Sequence, residues 1–180
     1  MNNSIAISKN KNEVLHHSII LFICIFLAVA LPQVLHYIGK ISGTGKSLGV
    51  LFSPMHLPVM LAGFLAGPVA GLIAGIVSPL TSSLLTGMPN GASLVFMFIE
   101  LAGYGLSAGL IKNLRTFSVF KVFIVQMAGR VLRMISVFAA IYIFSKAVAP
   151  YAFITELSRT IPGIISQLVI IPLVLNFSKK

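Results

Sequence analysis

Aspartate is missing from this 180-residue chain, and glutamate occurs only at Glu13, Glu100 and Glu156. The absence of aspartate excludes aspartyl intramembrane proteolysis and a Walker B acid of the Asp type. A single cysteine, Cys24, excludes a disulfide framework and a cysteine-rich metal site. Charged residues make up 9% of the chain, whereas a soluble domain carries about a quarter. So little polar surface leaves a globule uncovered in water, but it suffices for the ends of a helical bundle in lipid. Apolar residues are abundant instead: 57% of the chain is hydrophobic and the mean hydropathy is +1.02. The class is an all-α integral membrane protein.

The net charge of +10 arises from 13 Lys and Arg. These lie in short segments between apolar runs, as membrane topology requires, and not on one polar face as in nucleic-acid binders. The pattern predicts no nucleic-acid partner and places the chain in a lipid bilayer.

Residues 1–18 read as a polar cytoplasmic segment without a cleavage site, and 19–178 as one six-helix transmembrane domain. Ile19–Ile38 is the first span, about twenty residues for a ~30 Å hydrocarbon core. The long apolar run after it divides at Gly67-Pro68, because proline removes a backbone donor. That predicts a second helix over Val50–Ala66, bent by Pro54 and Pro58, and a third over Val69–Thr86. Leu94–Ile111, Val122–Phe144 and Phe153–Phe177 complete a compact six-transmembrane-helix bundle, the last interrupted by Pro162 and Pro172. The basic segment around Lys112, Arg115 and Lys121, with Lys9, Lys11, Lys179 and Lys180, outweighs Lys40, Lys46 and Lys146. This predicts both termini in the cytoplasm.

The stretch "GTGKS" at residues 43–47 ends like a phosphate-binding loop, but it is not one. A Walker A loop needs glycine five places before Gly45; that place holds Lys40, and no buried strand precedes it.

Ala62, Gly63, Ala66, Gly67, Ala70, Gly71, Ala74 and Gly75 repeat at a spacing of four, which keeps small side chains on one helix face. Such a face serves either internal packing or a partner membrane protein.

Glu100, Arg130 and Arg133 fall inside apolar spans, where an exposed charge costs at least ~2.5–3.5 kcal/mol. On antiparallel helices the depths of Glu100 and Arg133 differ by only ~6 Å, so an ion pair between them is expected. Arg130 is then left for a ligand or for the inner water layer. Gln33, His36, Tyr37, Ser53, His56, Thr81, Ser82, Ser83, Thr86, Asn90, Glu156 and Arg159 gather toward the outer side, with Gln167 deeper. Either water at the interface satisfies them, or they form a small polar pocket. No HExxH or paired-glutamate pattern is present, and no metal site, cofactor or catalytic residue is expected.

Phe52–His56, Pro58, Gly63, Gly67, Pro79–Ser83, Gly87-Met88-Pro89, Glu100, Tyr104 and Gly105 carry a family likeness. In "FSPMHLPVMLAGFLAGPVAGLIAGIVSPLTSSLLTGMPN" and "ELAGYGLSAGL" the chain resembles the substrate-binding S components of energy-coupling factor vitamin transporters. The resemblance implies a non-enzymatic, multi-pass subunit of the bacterial plasma membrane that captures a vitamin-like small molecule on the outer side. It also implies partners: a transmembrane coupling subunit and two cytoplasmic ATPase subunits. The loop containing Ser42 to Ser47 would close over the ligand. An Ala-xxx-Ala docking face would fall at Cys24 and Ala28, or be replaced by the small-residue faces of the second and third helices. Substrate-binding candidates are Gln33, His36, Tyr37, Ser53, His56, Thr81, Ser83, Asn90, Glu100, Tyr104, Arg133, Arg159 and Gln167. Glu100 suits a vitamin B6-type or pyrimidine ligand, the slightly preferred class; the arginines suit the carboxylate of pantothenate or niacin. The alternatives are a self-sufficient secondary transporter and, less favoured, an intramembrane enzyme.

Overall fold

A computed structural model describes residues 2–45, 47–89, 91–142 and 159–178. Among the described residues seven helices are delimited: α1 (Asn2–Ile41), α2 (Ser47–Phe52), α3 (His56–Ala66), α4 (Pro68–Thr86), α5 (Gly91–Ile111), α6 (Ser118–Tyr142) and α7 (Ile161–Phe177). The described residues include no β-strand. Lys11–Ile41, Pro68–Thr86, Ser93–Ile111 and Ser118–Tyr142 are long and apolar enough to cross a membrane, and His56–Ala66 and Ile161–Phe177 are shorter apolar helices. The expected helical membrane protein is therefore present. Large apolar side chains point outward along its spans, among them Phe22 at 74% and Leu84 at 86% exposure, as a lipid-facing surface requires.

Two boundaries differ from expectation. The first helix is 40 residues long, roughly 60 Å at 1.5 Å per residue, because nothing in the polar segment before Ile19 breaks it. The second expected helix is two helices. Pro54 supplies no N–H and restricts the residue before it, while Ser53 takes a left-handed φ of 42°. The expected interruption at Pro162 is present: Thr160 is a turn after helical Arg159, and Pro162 occupies the first turn of α7, where the missing N–H costs nothing. The ends of the fifth and sixth expected spans, near Phe144 and Phe153, lie outside the described residues. The break at Gly67-Pro68 is as expected: Gly67 has φ 102° and Pro68 opens α4.

The small residues of α3 and α4 are internal. A methyl group on Gly71 or Gly105 would overlap the other residue's backbone, and one on Gly75 would meet the Leu101 carbonyl oxygen at 2.5 Å. Ala62 and Ala74 are fully buried and Ala70 is 9% exposed. Helices α3, α4 and α5 thus pack at backbone distance, which is the internal-packing role of the two left open by the sequence. Cys24 and Ala28 are likewise buried against the core, so the docking face expected there is closed off.

At the end of the bundle opposite α2, Lys121 donates through Nζ to the Lys112 carbonyl at 2.7 Å. This satisfies an orphan carbonyl of the last turn of α5 and favours the negative end of its dipole.

Candidate functional site

Glu100 and Tyr104 are four residues apart on α5 and so share one face. The Tyr104 hydroxyl donates to Glu100 Oε1 at 2.9 Å. Gln126, Arg130 and Arg133 are spaced four and three along α6, again on one face. Arg133 Nη1 donates to Glu100 Oε2 at 2.6 Å, so the expected ion pair exists. Gly129 makes the approach of α6 to α5 feasible: a Cβ there would lie 2.5 Å from two carbons of the Tyr104 ring. Glu100 is 3% exposed, yet both of its oxygens have partners, as burial of a carboxylate demands.

His56 enters from the first turn of α3. Its Nδ1 faces the Ser53 carbonyl oxygen at 3.1 Å. A carbonyl only accepts, so Nδ1 carries a proton. Its Nε2 stands 3.7 Å from Glu100 Oε1, beyond hydrogen-bond range. The ring meets Tyr104 edge to face, with centroids 5.2 Å apart. Ser53 is the hinge of this arrangement. Its carbonyl oxygen also accepts from the His56 N–H at 3.1 Å and from Gln167 Nε2 at 3.5 Å. Gln167 Oε1 in turn accepts from Gln126 Nε2 at 2.9 Å. Buried amides of α6 and α7 thereby hold the break that aims His56.

Above these groups opens a cavity of ≈ 280 Å³. Pro32, Gln33 and His36 of α1 form one wall, and Gly49 and Ser53 beside α2 form another. Gly49 is required here, since a Cβ would reach His36 Nε2 at 2.9 Å. Met88, Pro89, Ser93 and Met97 close the side nearest α5, and Glu100, Arg130, Arg133 and Thr160 supply polar groups. The α4–α5 connection is fixed from below: Ser82 Oγ donates to the Met88 carbonyl at 2.8 Å and Ser83 Oγ to the Pro89 carbonyl at 2.9 Å. The cavity's volume lies near the lower end, about 300 Å³, of small-molecule sites. A mostly apolar cavity with a few convergent polar groups is the form of a small-molecule site.

Of the candidates named from sequence, Gln33, His36, Ser53, His56, Glu100 and Arg133 line this cavity. Tyr104 and Gln167 are buried behind it, as supports for Glu100 and Ser53. Tyr37 is 67% exposed on α1 and does not line it. Thr81 is also outside, Ser83 serves the α4–α5 connection, and Arg159 is exposed and outside the lining. Asn90 and Glu156 lie outside the described residues. Arg130, Ser82, Ser93, Met97 and Thr160 belong to the lining though absent from the candidate set. Arg130, left by the sequence for a ligand or the inner water layer, stands in the cavity wall, whereas Thr160 needed the placement of α7.

Among the described residues of the loop between α1 and α2, none lines the cavity. Ser42 N–H donates to the Ile38 carbonyl at 2.9 Å and Gly45 N–H to the Gly39 carbonyl at 2.8 Å, so the loop caps α1. Gly43 and Gly45, at φ 75° and 62°, serve that turn. The part of this connection that reaches the cavity is α2 and the hinge after it, through Gly49 and Ser53, and not the glycine-rich loop.

The described residues contain no cluster of His, Cys, Asp and Glu able to hold a metal ion. A family model described as "5TMR of 5TMR-LYT" matches residues 3–177. The chain belongs to this five-transmembrane (5TM) family. No curated protein and no solved structure matches it.

Proposed function

We propose that this member of the 5TMR of 5TMR-LYT family is a small-molecule-binding membrane subunit that captures a water-soluble solute in the cavity above Glu100. The observation that carries this is the convergence of Gln33, His36, His56, Glu100, Arg130 and Arg133 on one apolar-walled cavity. Polar groups held in a membrane domain at this cost mark ligand or ion sites. The cavity lies at the end where α1 and α4 finish, opposite Lys112, Arg115 and Lys121. On the positive-inside rule that end faces outward, with six helices crossing and both termini in the cytoplasm of a bacterial cell.

In this proposal the subunit works as the S component of an energy-coupling factor importer. It hands a vitamin-sized compound to a transmembrane coupling subunit driven by two ATPase subunits. A cavity at the small end of the range for ligand sites suits a single-ring compound. The experiment is calorimetric titration of the purified subunit with single-ring vitamins, followed by uptake into vesicles with and without the coupling subunits. Tight binding with uptake only in the complete assembly is the expected result. Uptake by the subunit alone, coupled to an ion gradient, would identify a secondary transporter instead.

A second reading keeps the same cavity. Here occupancy of the same cavity is passed on as a conformational signal, with no transport. Tight binding without uptake in any assembly would select it.

A further inference from the structure

The described residues of the cavity carry more positive charge than they neutralise. Among its described lining residues the formal charges are Arg130, Arg133 and Glu100, which sum to +1. Glu100 is committed to Arg133 at 2.6 Å and to the Tyr104 hydroxyl at 2.9 Å. Arg130 is not matched in this way. Its Nη1 donates to Thr160 Oγ1 at 3.4 Å, a long bond to a neutral group, and its Nε is buried with no partner among the described residues. A guanidinium has five donors in a planar fork that fits a carboxylate through two parallel hydrogen bonds. His36 also leaves a buried ring nitrogen, Nδ1, without a partner. The rest of the lining sets methionine and proline carbons beside the neutral polar groups of Gln33, Ser53, Ser82 and Ser93 and the His56 ring.

From this geometry we infer that the captured solute is an organic monoanion: a carboxylate held by Arg130 on an apolar ring of single-ring size. The inference rests on the capture function proposed above and names its ligand class. A cationic amine is disfavoured, because it would meet Arg130 while Glu100 is already paired. A neutral compound would leave the Arg130 charge uncompensated inside the protein. The Glu100–Arg133 pair then acts as a positioning element: it holds Arg133 toward α5 and leaves Arg130 as the anion's partner.

The test uses matched sets of single-ring compounds, in keeping with the small cavity. Benzoate and pyridine-3-carboxylate are compared with their amides and with the corresponding aminomethyl compounds. Binding is measured by thermal stabilisation and calorimetry on the purified full chain, for the native protein and for R130Q and R130K. The expected result is stabilisation by the acids at least about 10-fold more tightly than by the amides, with no effect of the amines. R130Q lowers acid affinity about 10- to 100-fold, the range of a charged hydrogen bond, and R130K retains part of it. Amides or amines binding as well as the acids would overturn the anion assignment while leaving ligand capture intact. So would acid binding unchanged in R130Q. If no compound of any charge binds the native protein, capture in this cavity fails, and the anion inference fails with it.

Discussion

Removing either partner of the Glu100–Arg133 pair has unequal consequences, and the inequality follows from where each side chain ends. Glu100 is 3% exposed, whereas the Arg133 side chain is 18% exposed along the cavity wall. Arg133→Gln leaves a buried carboxylate with the Tyr104 hydroxyl and a histidine nitrogen 3.7 Å away. Breaking a buried pair in this way costs about 3–5 kcal/mol. Glu100→Gln leaves an arginine that cavity water reaches, and Gln still accepts from Tyr104, so its cost is nearer 1–3 kcal/mol. For a chain of this size 1 kcal/mol shifts the melting temperature by about 2–4 °C. In detergent, Arg133→Gln should therefore melt at least about 6 °C below the native protein, and Glu100→Gln should lose less. The double variant should recover part of the loss, giving a coupling energy above ~1 kcal/mol in the double-mutant cycle. Equal losses for the two single variants, or strict additivity in the double, would refute the account of an asymmetrically buried pair.

Other positions test the packing and the hinge. Gly105→Ala should destabilise the fold by about 1–3 kcal/mol through overpacking against Gly71; thermal unfolding reads this directly, and an unchanged melting temperature would contradict the backbone contact. Gln126→Leu should cost about 1–3 kcal/mol by orphaning Gln167, while Gln126→Leu with Gln167→Leu should be milder, because both buried partners are then apolar. Gly49→Val should drive the hinge segment off His36 and reduce cavity binding while leaving the spans helical, as circular dichroism alongside titration would show.

Why so much of the scaffold was readable lies in lipid's intolerance of unsatisfied backbone. Long apolar runs had to be helices, and Gly67-Pro68 had to end one. The same intolerance made the Glu100–Arg133 pair predictable from depth alone. The break at Ser53–Met55 was not readable, because Pro54 and Pro58 permit either a bent helix or two helices. The buried amides Gln126 and Gln167 and the carbonyl they support decided between the two. The role of Gly43 and Gly45 was also open, since glycine serves a mobile lid and a tight cap equally well.

The amino-acid sequence alone determined the solvent this chain lives in, its helical class, and which charges must seek each other inside the bilayer. These follow from hydrophobicity and helical rise, which are properties of single residues and short stretches. Tertiary structure decided which polar residues share a cavity, and it left Tyr37 and Arg159 outside while bringing in Arg130 and Thr160. It also assigned the small residues of α3 and α4 to internal packing. Those outcomes depend on how helices distant in sequence rotate and approach one another, and no local pattern encodes that.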